Sequence, residues 1–149
     1  AWLGGIYAWA GEYRDVNLSK GDLFFAAARE IPRLMRELER GPLAGNSPLR
    51  TTDLDSLARS LAVVHGELVL IHPFRDGNGR CARLLATLMA LQAGLPPLDF
   101  SGVQGRERQT YFDAVRRGLD RDYSPMQQVF GKVIAKTLRV YGSRSFSSQ

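Results

Sequence analysis

At 149 residues the chain is long enough for one ordinary domain with a real core. Hydrophobic residues at 44% and charged residues at 23% suit a soluble globular protein and exclude wholesale disorder, and no apolar run nears the roughly eighteen residues of a membrane span. The net charge of +5 raises the expectation of an anionic partner, whether nucleotide, nucleic acid or acidic protein surface. Arg29, Arg33, Arg36 and Arg40 are interleaved with Glu30, Glu37 and Glu39, the pattern of a solvated helix face. Most of the charge is therefore read as solubilising, and its spread argues against nucleic-acid binding. The single cysteine, Cys81, cannot form an internal disulfide; beside a helical pattern it reads as packing, and a reducing cytoplasm fits. No signal peptide is visible, although the chain begins at Ala1 rather than Met, so its absence carries little weight.

In chain order, the aromatics Trp2, Tyr7, Trp9 and Tyr13 come first and are read as packing groups. Residues 13–25 follow, where Val16, Leu18, Leu23, Phe24 and Phe25 flank Ser19-Lys20-Gly21-Asp22. Alternation around a turn containing glycine predicts a small β-hairpin that leans on helices. Ile31, Leu34, Met35 and Leu38 have helical spacing, with Pro32 in the first turn. Gly41 to Pro48 reads as a loop. Leu54, Leu57, Ala58, Leu61, His65 and Leu68 form the next stripe, capped by Thr52 or Asp53, with His65 structural. Leu84 to Leu91 is apolar almost throughout, which predicts a helix buried on most sides and stopped by Gly94 and Pro96. A helix over Arg106–Leu119 turns Phe112, Val115 and Leu119 inward. The last begins at Ser124-Pro125 and buries Met126, Val129, Phe130, Val133, Ile134 and Leu138. The polar tail 143–149 is expected to fray. The fold class is mainly α with one small hairpin.

The chemistry concentrates in His72-Pro73-Phe74-Arg75-Asp76-Gly77-Asn78-Gly79-Arg80, with Arg83 one turn on. A residue before proline is disfavoured in helical geometry, so the preceding helix should stop and leave the His72 imidazole at its carbonyl end. That ring can take a proton from a hydroxyl. The negative end of the helix should favour its protonated form. Phe74 reads as an anchor to the core, and Arg75 as solvent-facing or a partner contact. Asp76 can bind a hard cation such as magnesium or simply form a turn. Gly77 and Gly79 let the backbone approach a ligand, with Asn78 between them. Their N–H groups and the start of the next helix suit an anion. Arg80 and Arg83 share one face of its first turn and suit phosphate oxygens, or are surface arginines. Gly-x4-Gly-Lys-Ser/Thr and GxGxxG are both absent.

The sequence resembles the Fic-domain family, whose signature is His-x-Phe-x-Asp/Glu-Gly-Asn-Gly-Arg-x-x-Arg. Residues 72–83 match it at every defined position, and Ala10-Gly11-Glu12-Tyr13-Arg14 with Val16-Asn17-Leu18-Ser19-Lys20-Gly21 resembles the approach to the family's hairpin flap. The resemblance implies a single helical domain over 1–149 with a flap at about 13–25 over an active-site loop at 72–80. It implies a protein adenylyltransferase that moves AMP from magnesium-bound ATP to a Tyr, Thr or Ser hydroxyl and releases pyrophosphate. His72 would be the base, and Asp76 would hold Mg2+. Gly77, Asn78 and Gly79 would form the anion hole, with Asn78 also bonding phosphate. Arg80 and Arg83 would hold the outer phosphates. The target protein would lie along the flap at Val16 to Phe24. Lysine stands where this chain has Gly79 in relatives that move a terminal phosphate, so Gly79 favours AMP. The alternatives are a catalytically silent nucleotide- or partner-binding module and the transfer of another nucleotide or phosphate moiety. No Ser or Thr stands four residues before any glutamate, so the family's inhibitory helix motif is missing from this sequence; the restraint would lie in a removed segment, in a separate antitoxin, or nowhere. Neither a nucleic acid nor a membrane is expected as a partner. The protein would act in the cytoplasm of its own cell or, as a delivered bacterial toxin or effector, of a host.

Overall fold

In this computed structural model, residues 4–141 are described; Trp2 and the tail lie outside them. The fold is helical with one two-stranded antiparallel ribbon. Strand β1 (Ser19–Lys20) pairs with β2 (Leu23–Phe24), Lys20 opposite Leu23. Gly21, at φ 60°, makes the tight turn. Leu23 is buried and anchors the ribbon, whereas Phe24 faces solvent. The hairpin forms where the sequence predicts it, but its paired strands are only two residues each.

Helix α1 (Ile31–Leu38) carries Pro32 in its first turn. The chain then stays helical through a π turn (Glu39–Leu43) and α2 (Ala44–Asn46), where a loop is expected from Gly41. Pro42 has no N–H to lose from the ladder, and Asn46 Nδ2 donates to its carbonyl at 2.8 Å.

Helix α3 (Leu54–Ile71) is the axis of the molecule. Asp53 caps it by accepting from the Ser56 N–H at 2.9 Å. Leu57, Ala58, Leu61, Ala62, Val64, Leu68, Val69 and Ile71 are all buried, so α3 is covered on nearly every side, although Leu54 is exposed. It packs against α1, α4 (Asn78–Gln92), α5 (Arg106–Arg117) and α6 (Ser124–Tyr141). The covered axis fixes where its C-terminal end, and hence His72, can lie.

The apolar run of α4 is buried on one side only. Ala82, Ala86, Met89 and Ala90 face α3, while Leu84, Leu88 and Leu91 are exposed, as is Cys81. The small inward residues let the two helices approach closely. Gly94, at φ 83°, ends the helix as expected. In α5 the inward residues include Ala114 and Val115; Leu119 lies beyond its end and is exposed, because the chain tightens into a 3-10 turn at Gly118. Helix α6 buries its expected face, and its first bond runs from the Gln127 N–H to the Tyr123 carbonyl. Asp122, rather than Ser124, supplies the side-chain acceptor there, taking the Ser124 N–H at 3.1 Å. Tyr7 and Trp9 stack on each other near the surface, with Tyr7 and Tyr13 both exposed.

Candidate active site

His72 caps the end of α3 in a left-handed conformation (φ 51°, ψ 58°), its N–H still bonded to the Leu68 carbonyl. Pro73 bars a further helical turn, and the reversal costs a non-glycine residue about 1–2 kcal/mol. The geometry around it holds that strain in place. Nδ1 lies 3.1 Å from the Val69 carbonyl. A carbonyl cannot donate, so Nδ1 carries the proton and the Nε2 lone pair is free. No partner for Nε2 occurs among the described residues. Phe25, just after β2, stacks on the ring with centroids 3.6 Å apart at 11°. The helix end does not win the electrostatic balance. Burial pushes the His72 pKa below its ordinary value, the Val69 hydrogen bond opposes this, and Arg14 and Lys20 add to the lowering. The imidazole is therefore neutral at pH 7, the form a base requires.

The loop beyond is closed by Asn78. Its Oδ1 accepts from the Phe74 N–H at 2.8 Å and its Nδ2 donates to the Phe74 carbonyl at 2.7 Å. Asn78 is buried, and its amide holds the bend rather than reaching into open space. Phe74 is anchored through these backbone bonds and by contact with Tyr13, at 6.1 Å between rings. Arg75 pairs with Asp15 at 2.5 Å, tying the loop to the segment before the flap. Gly77, at φ 83°, turns the chain into α4. The first α4 ladder bond runs from Cys81 N–H to Gly77 O, which leaves the N–H groups of Asn78, Gly79 and Arg80 outside the ladder.

Asp76 is exposed. One oxygen accepts from Gly77 N–H at 2.6 Å and the other pairs with Arg80 at 3.1 Å. Among the described residues no cluster of three His, Cys, Asp or Glu side chains could cage a metal. A lone accessible carboxylate beside free N–H groups fits magnesium that arrives with a polyphosphate and takes its other ligands from phosphate and water.

His72, Gly79 and Arg83 open on one cavity of about 770 Å³. Its walls come from the flap (Lys20, Leu23), Phe25, Val69 and the start and face of α5, including Arg108, Tyr111 and Phe112. Asp76, Gly77, Asn78 and Arg80 are not among its lining residues. The motif is thus divided between a floor at Gly79 and Arg83 and an exposed shoulder at Asp76 and Arg80.

Two functional supports had no sequence signal of their own. Arg14 is buried and donates from Nε to the His72 carbonyl (2.6 Å), from Nη1 to Val16 (2.6 Å) and from Nη2 to Ala26 (2.5 Å) and Ile71 (3.2 Å). Only its place in the flap-approach segment marked it. Tyr111 donates its hydroxyl to His65 Nε2 at 2.8 Å, while His65 Nδ1 donates to the Ala82 carbonyl at 3.1 Å. Burial pushes the Tyr111 pKa up to about 12 and the His65 pKa down to about 4. This neutral pair ties α3, α4 and α5 together under the cavity.

A family model described as Fic/DOC family matches residues 1–90. A Sinorhizobium fredii protein named probable protein adenylyltransferase y4lH is 30% identical over 87% of this chain and 65% of its own length. The protein adenylyltransferase Fic of Nematostella vectensis is 30% identical over 89% of this chain but only 29% of the relative. This chain therefore spans between under a third and about two thirds of these relatives. Among solved structures, the BepC protein of Bartonella tribocorum with bound AMPPNP superposes with a TM-score of 0.67 at 26% identity, covering 85% of this chain and 66% of that one. With its signature residues brought to one helix–loop–helix bend beneath a hairpin, the chain belongs to the Fic/DOC family.

Proposed function

We propose that the chain is a protein adenylyltransferase, moving AMP from ATP onto a hydroxyl side chain of a target protein with release of pyrophosphate. The observation that carries this reading is the fixed tautomer of His72, which leaves Nε2 free on a residue that lines one cavity with Gly79 and Arg83. In the step proposed, the target oxygen bonds to the α-phosphorus as its proton passes to Nε2. The bond from that phosphorus to the α,β-bridging oxygen breaks, and pyrophosphate leaves with the electron pair. Backbone N–H groups at Asn78 and Gly79 hold the phosphate oxygens, joined by that of Gly77 once Asp76 turns from it to the cation, with Asn78 fixing the bend that presents them. Arg83 neutralises the outer phosphates from the cavity, and Arg80 acts from the shoulder. Asp76 would hold Mg2+, which supplies charge neutralisation to the phosphates when bound.

The flap supports a protein rather than a small-molecule acceptor. Its two-residue strands leave edge groups available to an extended segment of a target, which would pair along Val16 to Phe24. Adenylyl transfer is named in several relatives, and AMPPNP is bound in BepC. The inhibitory partner or segment expected for the family, and delivery into a host cell as for the Bartonella effectors, belong to this reading as well. No helix among the described residues is long and apolar enough to cross a membrane. The test is labelling of bacterial and host lysates with ATP carrying label on either the α or the γ phosphorus. Label on protein from the α position alone is expected; label from the γ position alone would overturn AMP transfer.

A further inference from the structure

A helix ending at a strained residue leaves its last carbonyls without partners, and such groups must be bonded if they are buried. In this molecule the His72 N–H and ring hold Leu68 and Val69, and one residue, Arg14, takes the carbonyls that come last. Arg14 donates its main-chain N–H to the Pro73 carbonyl at 2.9 Å, and its guanidinium to the carbonyls of Ile71 and His72. Three successive carbonyls at the end of α3 are thereby held by one residue. The same guanidinium takes the carbonyls of Val16 and Ala26, which bracket the hairpin on either side. The frame is reinforced by the Ala26 N–H, which donates to Leu70 at 3.1 Å, and by Phe25, whose ring lies on the His72 imidazole.

None of the acceptors bears a charge. The buried cation is stabilised by oriented carbonyls and by the negative end of α3 instead of a carboxylate. An ordinary structural arginine would pair with an acid at the surface, as Arg33, Arg116 and Arg117 do. Planar, forked donors on three nitrogens suit these four acceptors, whereas lysine offers its three N–H donors from a single point and reaches fewer of them.

We propose that Arg14 is the positioning residue of the site: one guanidinium locks the left-handed His72 backbone and both roots of the flap into a single frame, so that base and target strand stay in register. Its catalytic consequence rests on the adenylyl-transfer reading; the frame itself does not. Opening the frame lets the flap and the imidazole move independently, and a displacement of about 1 Å at a reacting group costs on the order of a hundredfold in rate.

The first experiment is amide hydrogen exchange on the unaltered chain. The N–H groups of Arg14, Phe25 and Ala26 are expected to open together, with protection within about threefold of each other. Arg14 and Ala26 opening with protection differing by more than about a hundredfold would overturn the frame. The second uses Arg14→Lys, which keeps the charge. ATP affinity is expected to stay within about twofold, exchange at Ala26 to rise at least about tenfold, and the α-label transfer rate at saturating ATP to fall at least about tenfold. A transfer rate equal to that of the unaltered chain, or a loss of transfer matched by an equal loss of ATP binding, would overturn the positioning role. If Arg14→Lys fails to fold, the exchange pattern of the unaltered chain decides. If the unaltered chain transfers no label at all, the adenylyl-transfer reading falls while the exchange result still decides the frame.

Discussion

Two histidines stand seven residues apart, His65 inside α3 and His72 capping its end, and they differ in what their second ring nitrogen meets. Both are held neutral at pH 7, chiefly by burial. His65 has both ring nitrogens engaged, and its edge meets Phe130 at 5.1 Å and 77°. At His72 one nitrogen is bonded to Val69, the other is free, and the cavity begins there. A depressed pKa alone does not distinguish the two rings. What the second nitrogen meets decides whether the neutral form is a core bracket or a base.

The sharpest break in this comparison is His72→Ala. Removing a positioned base should lower the transfer rate by about a thousandfold, within the range general bases contribute. ATP affinity measured by calorimetry should hardly change, because the imidazole is not a phosphate ligand in this scheme. A variant that retains its rate would remove His72 from the mechanism. The pH profile sharpens the same point. His72 must be neutral to accept a proton, and its pKa is lowered from 6.5. The acid limb of kcat/KM, which reports the free enzyme, should therefore have its midpoint below that value; a midpoint above it would contradict the burial argument.

His65→Ala should show the opposite division. It leaves the Tyr111 hydroxyl and the Ala82 carbonyl without their bonds and opens a hole between three helices, at a cost of about 3 kcal/mol. Denaturant melts should show the loss, while transfer per folded molecule persists. The pH dependence of stability follows from the same burial. The unfolded chain binds a proton near pH 6.5 and folded His65 only near about 4, so between these values the unfolded state holds more protons and stability falls with falling pH. The whole window is worth about 3 kcal/mol at 1.36 kcal/mol per unit. His65→Ala should flatten most of that slope.

The contrast between the histidines was partly legible in the sequence. His65 stood inside an apolar helical stripe and His72 before a proline and a glycine-flanked turn, so their different fates could be expected from neighbours alone. The helices beside them were legible because period and capping agreed at Asp53 and Gly94. Other features depended on distance along the chain. Arg14 is 58 residues from the carbonyl it holds, and no local period marks such a contact. Tyr111 is 46 residues from His65. The α4 face failed for a different reason: a run of leucines cannot report which of its sides a neighbour covers, and Leu84, Leu88 and Leu91 remain exposed. At Gly41–Pro48 residue type suggested a loop, but a π turn accommodated Pro42 without breaking the helix.

Arg83→Ala tests the cavity floor at a smaller scale. Charged hydrogen bonds to a ligand are worth about 1.5–3 kcal/mol, so kcat/KM for ATP should fall by about ten- to a hundredfold with the fold unchanged. Unaltered kinetics would leave Arg83 as a surface cation that happens to line the cavity.

The two loop glycines give the smallest effects and the finest discrimination. Gly77 sits at φ 83°, so Gly77→Ala forces a methyl group into left-handed backbone, although its nearest non-adjacent neighbour is the flexible Arg80 at 3.7 Å. The expected loss is about 1–2 kcal/mol of stability, from strain rather than collision. Gly79 has no positive φ, and a Cβ built there meets nothing within 4 Å. Inside α4, alanine is the better helix former by up to about 1 kcal/mol, so Gly79→Ala should raise the melting temperature slightly. Yet Gly79 lines the cavity at the free N-terminus of α4, where a methyl group would stand between the backbone donors and a phosphate. Stability and transfer should therefore move in opposite directions, with transfer reduced by about tenfold, the equivalent of 1.4 kcal/mol. If stability and transfer both rose, Gly79 would be an ordinary helical residue and the anion would have to bind elsewhere along the loop.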